Sequence, residues 1–391
     1  MRIVDVCAFY APQGGGVKTY VERKLEAARP GREEVIIVAP GAADATVRQT
    51  PGGRIVTITA PRLPVDRRYR YFANETALHA LLDELAPDVV EASSPWSSPA
   101  MVARWRGPAL KSLVMHADPL AAYAYRWFGG LASREAIDRG FEWFWRHLRE
   151  LDHQFDIVVS ASTSLTARLS AGGLRKVITN PMGVTPNVFS PKLRDPALRA
   201  RLLARCGLDE RAVLLLALGR HAAEKRWPMV FDAVTAAGFR NSVGLVLFGD
   251  GHDRANVVRA ARNNPHIALC APIVGRGELA TVLASADALV HGCEAETFCM
   301  VAAEAKASGL PIIVPDEGGA SDQFARGQGE RYKARSAASL AAAIDNFIAG
   351  DPQAHRHAAS LAATGVGWMD EHFARLFQIY SSGPTPLASA A

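Results

Sequence analysis

Val213-Leu214-Leu215-Leu216-Ala217-Leu218 runs straight into Gly219-Arg220-His221-Ala222-Ala223-Glu224-Lys225-Arg226, and a helical stretch follows at Met229–Ala237. An unbroken apolar run that empties into a glycine- and charge-bearing turn, then a helix, reads as a strand covered on both faces of a parallel sheet. The same unit recurs downstream. Apolar runs lie at Val243–Phe248, Ile267–Ala271, Ala288–His291 and Ile312–Val314. Helical stretches alternate with them at Arg254–Asn263, Glu278–Ala286 and Met300–Ser308, and Ser339–Ile348 adds an alanine-rich helix. Upstream, an earlier series runs through Ile3–Phe9, Glu34–Ala39, Ile55–Ala60, Asp88–Ala92, Leu110–Met115, Asp156–Ser160 and Lys176–Thr179. Helices are expected between them, among others at Val17–Ala28, with Tyr20, Val21, Leu25 and Ala28 on one face, and at Thr76–Leu85.

The fold class expected is therefore α/β: two tandem doubly wound, Rossmann-like domains with a ligand cleft between them. The polar, proline-bearing stretch Pro191–Pro196 is the expected linker. It divides the chain into a first domain over 1–190 and a second domain over 191–366. A closing helix is expected over 367–381 and a frayed tail over 382–391.

Composition agrees with this frame. The 391 residues are 49% hydrophobic and 21% charged, enough for two full cores. The longest unbroken apolar stretch, Ala212–Leu218, is far too short to cross a bilayer, and the N-terminus does not read as a signal peptide. Five cysteines without a C-x-x-C pair fit reduced, mostly buried thiols, which points to a cytoplasmic protein. Net charge is +5; residues 1–185 hold 23 Lys+Arg against 19 Asp+Glu. An excess this small suits an anionic ligand or a lipid surface, and equally suits plain solubility.

Four segments carry candidate chemistry. Gly14-Gly15-Gly16 follows the first strand and precedes a helix, which suits close approach to an anionic group or simply a tight turn. Position 19 is Thr19, so the dinucleotide fingerprint is incomplete. Arg220 and Lys225 lie beyond the carboxyl end of a strand, where a fork of donors and a compact cation suit a diphosphate. Glu296-Thr297-Phe298-Cys299-Met300-Val301-Ala302-Ala303-Glu304 places one carboxylate before a helix start and one within the helix. The amides of Phe298, Cys299 and Met300 are the expected free donors of its first turn. A glycosidase carboxylate pair is another reading, because separation in space, not spacing in sequence, decides that chemistry. His116 follows the strand Leu110–Met115 and suits acid–base work or a hydrogen bond to a sugar hydroxyl. There is no Walker A loop, no H-E-x-x-H, no G-x-S-x-G and no D-x-D.

Together these segments resemble the family 4 retaining glycosyltransferases of GT-B fold. Gly219-Arg220 with Glu224-Lys225 resembles that family's G-R-x-x-x-E-K segment. Gly249 and Gly251 resemble its G-x-G strand end, and Glu296 to Glu304 its E-x(7)-E signature, continued by Gly318-Gly319. The helix from Trp368 to Tyr380 resembles the segment that returns to the N-terminal domain. The resemblance implies transfer of a sugar from a nucleoside-diphosphate donor, UDP or GDP, to an acceptor hydroxyl. Arg220 and Lys225 would neutralise the diphosphate, Glu304 would bind the ribose, and Glu296 with the amides of Phe298, Cys299 and Met300 would hold the donor sugar. His116 would contact that sugar near the reacting carbon, and Gly15, Gly16 and Gly249 would line the donor. No metal or other cofactor is implied beyond the nucleotide-sugar co-substrate. The chain departs from the pattern at Cys299, where glycine is usual, at Thr185, where aspartate is usual, and at Asp322, where glutamate is usual.

Two other readings fit parts of the sequence: a GT-B sugar-nucleotide epimerase and a non-catalytic two-domain sugar-binding protein. The acceptor is suggested only by aromatic-basic segments. One holds Tyr123, Tyr125, Trp127, Phe128, Phe141, Trp143, Phe144 and Trp145 among five arginines over 119–151; the other is Arg67-Arg68-Tyr69-Arg70-Tyr71-Phe72. They read either as core helices or as a surface for a lipid or lipid-linked acceptor, with peripheral association at the inner face of a membrane. Nucleic acid is not an expected partner.

Overall fold

The computed structural model of the chain describes residues 1–10, 16–64, 66–93, 97–129, 131–236, 239 and 241–383, without the side chains at 66–68 and 122. It forms two units: Met1–Pro181 with the closing helix from Met369, and Met182–Trp368.

In the first unit the strands are β1 (Arg2–Cys7), β2 (Glu34–Gly41), β3 (Ala45–Thr50), β4 (Gly53–Thr59), β5 (Arg62–Leu63), β6 (Asp66–Arg70), β7 (Val89–Ser93), β8 (Leu110–Met115), β9 (Ile157–Ser160) and β10 (Val177–Thr179). Eight of them form one sheet in the order β10-β9-β8-β7-β1-β2-β4-β3, and β5 pairs with β6 alone. Every neighbour in the large sheet is parallel except β3, which runs antiparallel to β4 on the edge. Val35, Ile36, Ile37 and Val38 are fully buried in succession. That is the mark of a strand covered on both faces, and it is why the apolar runs did not alternate. The edge strand β3 is mostly exposed and polar, so it carries no such run.

The second unit holds β11 (Val213–Leu218), β12 (Val243–Phe248), β13 (Ile267–Cys270), β14 (Ala288–Val290), β15 (Ile312–Pro315) and β16 (Gly329–Tyr332) in the order β13-β12-β11-β14-β15-β16. All pairs are parallel. Its core centres on Leu215, Ala217, Phe231, Leu245, Val290 and Phe347. The chain order reverses between β11 and β14. Connections leaving these two strands diverge to opposite faces, so a crevice opens at their carboxyl ends.

The expected division of the chain is corrected in two places. The boundary falls at Pro181/Met182, not at 190/191. Pro191–Pro196 is not a linker but part of the second unit: Pro191–Leu193 is a 3₁₀ turn capped by Ser190, and Asp195 caps the helix Pro196–Arg205. The amide of Asp195 also donates to Ser285 Oγ at 3.0 Å. Proline and short polar residues serve helix starts as well as linkers, and here they start helices. The closing helix runs Met369–Ser382, so Ser382 is helical, while 384–391 of the expected tail lie outside the described residues. Trp368 stays with the second unit through a bridge to Val184.

Among the described residues no helix is long and apolar enough to cross a membrane. All five cysteines are free thiols, four of them buried.

Candidate functional site

The crevice of the second unit is built by the loops after β11 and β14. After β11 the Gly219 amide donates to Phe248 O at 3.1 Å. Gly249, one residue beyond β12, lies so close that an added Cβ would sit 2.0 Å from Gly219 O. Glycine there is a packing requirement between two loops, which is the role the structure gives Gly249. The Trp227 indole donates to Arg220 O at 2.9 Å and fixes the turn. A 3₁₀ turn, Ala223–Lys225, then leads to Arg226 in the left-handed region, φ 53°. Arg226 grips Glu294 with two donors, Nε to Oε2 at 2.7 Å and a second contact to Oε1. This buried fork ties the loop after β11 to the loop after β14.

Its neighbour Lys225 pairs with Glu296 across the same two loops, and His291 Nε2 stands 3.3 Å from Glu296. Burial alone would lower the lysine and raise the glutamate. Their mutual attraction wins in both cases: Glu296 holds the Lys225 ammonium well above its usual range, and Lys225, then His291, hold Glu296 well below the carboxylate range. His291 is lowered by burial, against the pull of Glu296. A lysine ammonium has three donors, so the bond to Glu296 leaves two for another anion. Ligand atoms of His291, Glu296 and Cys299 lie within 4.8 Å of one another. The ammonium on Glu296 occupies the carboxylate a cation would need, and the Cys299 thiol is pushed well above its usual value by burial and by Glu296. This set is better built for an internal ion pair than for a metal.

The helix Met300–Ala307 starts where the spacing predicts, with Cys299 at its cap in the left-handed region, φ 66° and ψ 69°. That conformation explains why glycine suits the position. Its first ladder bonds come from Ala302 and Ala303, both onto Cys299 O, so the amides of Met300 and Val301 lie outside the ladder. The preceding turn is pinned by the Gly319 amide onto Glu296 O at 2.7 Å and by Gln323 Nε2 onto Phe298 O at 3.0 Å. Gly318 has φ +74°, and a Cβ there would meet Glu294 O at 2.2 Å. The Gly318-Gly319 pair is thus the backbone rest on which the Glu294–Phe298 turn sits.

Glu304 lies one helix turn further in, buried. It accepts from Arg276 at 2.8 Å, whose guanidinium also reaches Thr185 Oγ1 at 3.3 Å and lies 5.0 Å over the Phe189 ring. Burial raises the Glu304 carboxyl above its usual value, with Arg276 opposing. Thr185, where the family pattern has aspartate, therefore helps hold the arginine that holds Glu304.

The structure thus gathers Lys225, Glu296, Phe298, Cys299 and Met300 around one turn, with Glu304 on the helix that follows. It does not add Arg220. That guanidinium is 65% exposed and leans on Glu224 at 3.4 Å. The expected cationic pair is split, because only Lys225 has a sheltered carboxylate to draw it out of water. Arg226, Arg276 and His291 were not among the expected residues. Glu294-Ala295-Glu296 was the available signal: two carboxylates at a strand end call for two cations.

In the first unit His116 follows β8 and is half-buried; Gly16 opens the helix Gly16–Ala27, and a Cβ there would meet open space. Gly15 lies outside the described residues. The Tyr20 ring packs edge-on against His116 at 4.6 Å and its hydroxyl lies 3.2 Å from His372 Nε2, while His372 Nδ1 lies 3.0 Å from Pro181 O. A carbonyl only accepts, so Nδ1 carries the proton and Tyr20 donates to Nε2. Beneath them lies a second buried set absent from the expected list. Lys24 bonds Asp5 at 3.1 Å and pairs with Glu91; Ser93 donates to Asp5 at 2.9 Å; Tyr380 contacts Glu91 and Ser112.

Four histidines are held low by burial: His116 and His372 to about 4, and His221 and His291 in the same direction. The unfolded chain binds these protons and the native one does not, so stability falls as pH drops below about 6.5, by up to about 1.4 kcal/mol per pH unit for each such group. Thermal unfolding between pH 7 and pH 5, above the carboxylate range, checks this; an unchanged midpoint would contradict it.

The family model described as "Glycosyltransferase Family 4" matches residues 14–188, and "Glycosyl transferases group 1" matches residues 201–363. A GDP-mannose-dependent alpha-mannosyltransferase of Mycobacterium tuberculosis is 30% identical over 82% of this chain and 81% of its own length. A protein of the same description from Mycolicibacterium smegmatis is 31% identical over 83% and 82%. A GDP-mannose-dependent alpha-(1-6)-phosphatidylinositol dimannoside mannosyltransferase of M. tuberculosis is 28% identical over 80% and 79%. Among solved structures, a sucrose-phosphate synthase from Thermosynechococcus elongatus shares the fold with a TM-score of 0.73 at 18% identity, over 98% of this chain and 99% of its own. HepE of Anabaena, solved with UDP, gives 0.70 at 16% over 98% and 100%. Two parallel-sheet units, the paired loops at the second unit's switch point and sequence relatives that span four fifths of the chain lead to one conclusion: the protein belongs to the family 4 retaining glycosyltransferases of GT-B fold.

Proposed function

We propose that the chain transfers a hexose, mannose first among the candidates, from a GDP-linked donor to a hydroxyl of a lipid or lipid-linked glycan. The observation that carries the donor half is the Lys225 ammonium, held charged beside Glu296 and next to the amides that open the helix Met300–Ala307. The choice of GDP over UDP rests on the activities of the relatives, as does the lipid acceptor.

Breaking the bond between the anomeric carbon and the diphosphate leaves negative charge on the departing oxygen. Lys225 and the amides at 298–301 would meet that charge, and their positions are set before the donor arrives. Glu296 would turn its second oxygen to donor sugar hydroxyls while keeping Lys225 oriented. Glu304 would accept from the ribose hydroxyls, which would take the place of the Arg276 contact. His116, neutral at pH 7, would offer a hydrogen bond to a sugar hydroxyl. With these cations and amides no metal is invoked, and activity is expected to persist in excess chelator.

The test is a panel of GDP-, UDP- and ADP-hexoses assayed for hydrolysis and transfer. GDP-mannose turnover with a lipid acceptor supports the reading; consumption of a donor with inversion of its sugar and no transfer would favour an epimerase instead. Glu304→Gln is expected to weaken GDP binding by about tenfold or more, because it removes the anionic acceptor of the ribose hydroxyls. Calorimetric titration checks it, and unchanged affinity would take the ribose away from Glu304.

A further inference from the structure

The segment that follows His116 turns two ways. A π-helical turn, Leu120–Ala124, closes with the Tyr125 amide onto Leu120 O, and short helices follow at Tyr125–Phe128, Arg134–Gly140 and Glu142–Gln154. Their inner face is core: Tyr125, Phe144, Trp145, Leu148 and Leu151 are all buried. The outer face is not polar. Tyr123 is 48% exposed, Trp127 59%, Leu131 86% and Trp143 60%, with Phe128 exposed beside them. The rings among them form two groups. Tyr123 lies 5.6 Å from Trp127, and Phe128 reaches Trp143 through Phe141 at 6.1 and 6.3 Å. Arg126 stands over both the Tyr123 and Trp127 rings, at 5.9 and 6.0 Å.

A globular surface rarely leaves so many large apolar groups together without something to cover them. From this face we infer a docking surface for the headgroup layer of an anionic phospholipid bilayer. The side-chain chemistry selects that occupant. Tryptophan and tyrosine with arginine laid over their rings are the residues that settle at a membrane interface, rings inward and cations among the phosphates. The charges agree. Residues 119–151 hold five arginines and four glutamates or aspartates. Of the acids, Asp138 is taken inward by Tyr125 and Trp145, and Glu142 pairs with Arg149. Arg139 and Arg146 remain exposed on the same segment beside the exposed Glu135 and Glu150, and Arg126, Arg134 and Arg149 leave the segment with a net charge of +1. Leu131 is the most exposed apolar side chain of the set. This inference deepens the reading of a lipid-borne acceptor and rests on it for its purpose. A bilayer docked here would meet the first unit at Tyr123, seven residues beyond His116.

The experiment is co-sedimentation of the full chain with vesicles, without nucleotide or acceptor, so that it does not depend on the donor reading. Vesicles of phosphatidylcholine with about one third phosphatidylglycerol are expected to carry the protein down at low salt, and pure phosphatidylcholine far less. Trp127→Ser with Trp143→Ser is expected to weaken binding to the mixed vesicles by about tenfold or more, since two interfacial rings are lost. Arg139→Glu with Arg146→Glu is expected to weaken it on anionic vesicles only, and it keeps the test open should the tryptophan variant fold poorly. Retained GDP binding in the variants reports that they are folded. No sedimentation of the parent chain, or equal binding by the tryptophan variant, overturns the inference. So does self-association of the parent chain in analytical ultracentrifugation that the tryptophan variant abolishes, because the face would then cover a second copy. Failure of the parent chain to bind GDP would sink the donor reading while leaving the vesicle result to stand alone.

Discussion

Replacing Lys225 with alanine is expected to lower turnover by about a hundred- to a thousandfold, roughly 3–4 kcal/mol of barrier, while GDP binding weakens much less. The asymmetry follows from where charge develops. The ammonium meets a bound diphosphate and meets it more strongly as the sugar bond breaks, so its loss falls on the transition state first. Part of the effect is indirect. Without Lys225 the Glu296 carboxylate loses the partner that holds it ionised and oriented. Glu296→Gln separates the two contributions: it keeps a hydrogen-bonding group on the sugar side and leaves Lys225 charged for the phosphate. Lys225→Arg is not expected to rescue, because a planar fork does not fit a turn shaped around a compact cation. Steady-state kinetics with titration of GDP checks all three. A Lys225→Ala enzyme with turnover within a few-fold of the parent would contradict the assignment.

The second large effect is on stability. Lys24→Met is expected to cost about 3 kcal/mol or more, read as a drop in the denaturation midpoint of the full chain. Lys24 is fully buried between Asp5 and Glu91, also buried, so its removal strands two carboxylates in the sheet. Burial already pulls the Lys24 ammonium down, opposed by Asp5, which measures how much the site depends on its partners. Changing Glu91 to Gln together with Lys24→Met removes a charge from each side and is expected to recover part of the loss. A single variant within about 1 kcal/mol of the parent would mean that water or a proton already compensates the pair.

The central strands were legible because a parallel sheet buried on both faces writes itself as continuous apolar runs. The edge strand β3 and the short β16 were not, since Ala45–Thr50 and Gly329–Tyr332 carry polar residues that an exposed or terminal strand tolerates. The unit boundary was misread for a related reason: Pro191 and Pro196 mark helix starts inside a domain as readily as a linker. For the site, the spacing of Glu296 and Glu304 gave the helix start and the depth of each carboxylate. It could not say which cation each would find. Arg276 comes from the helix Arg276–Ser285, twenty-eight residues from Glu304, and only the fold brings them together. The buried set in the first unit was there to be read. Lys24 stands four residues after Tyr20 on the apolar face of its helix, and Asp5 and Glu91 interrupt strands whose neighbours are all buried. Charges in such positions need one another.

The account turns on the diphosphate lying in the second unit against Lys225 and the start of the helix Met300–Ala307. A crystal structure of the protein with GDP tests that most directly. It is expected to show phosphate oxygens about 3 Å from Lys225 Nζ and from amide nitrogens within 298–301, with ribose hydroxyls on Glu304 in place of Arg276. GDP bound with its phosphates on Arg220, or with Arg276 still on Glu304 and the ribose elsewhere, would contradict it.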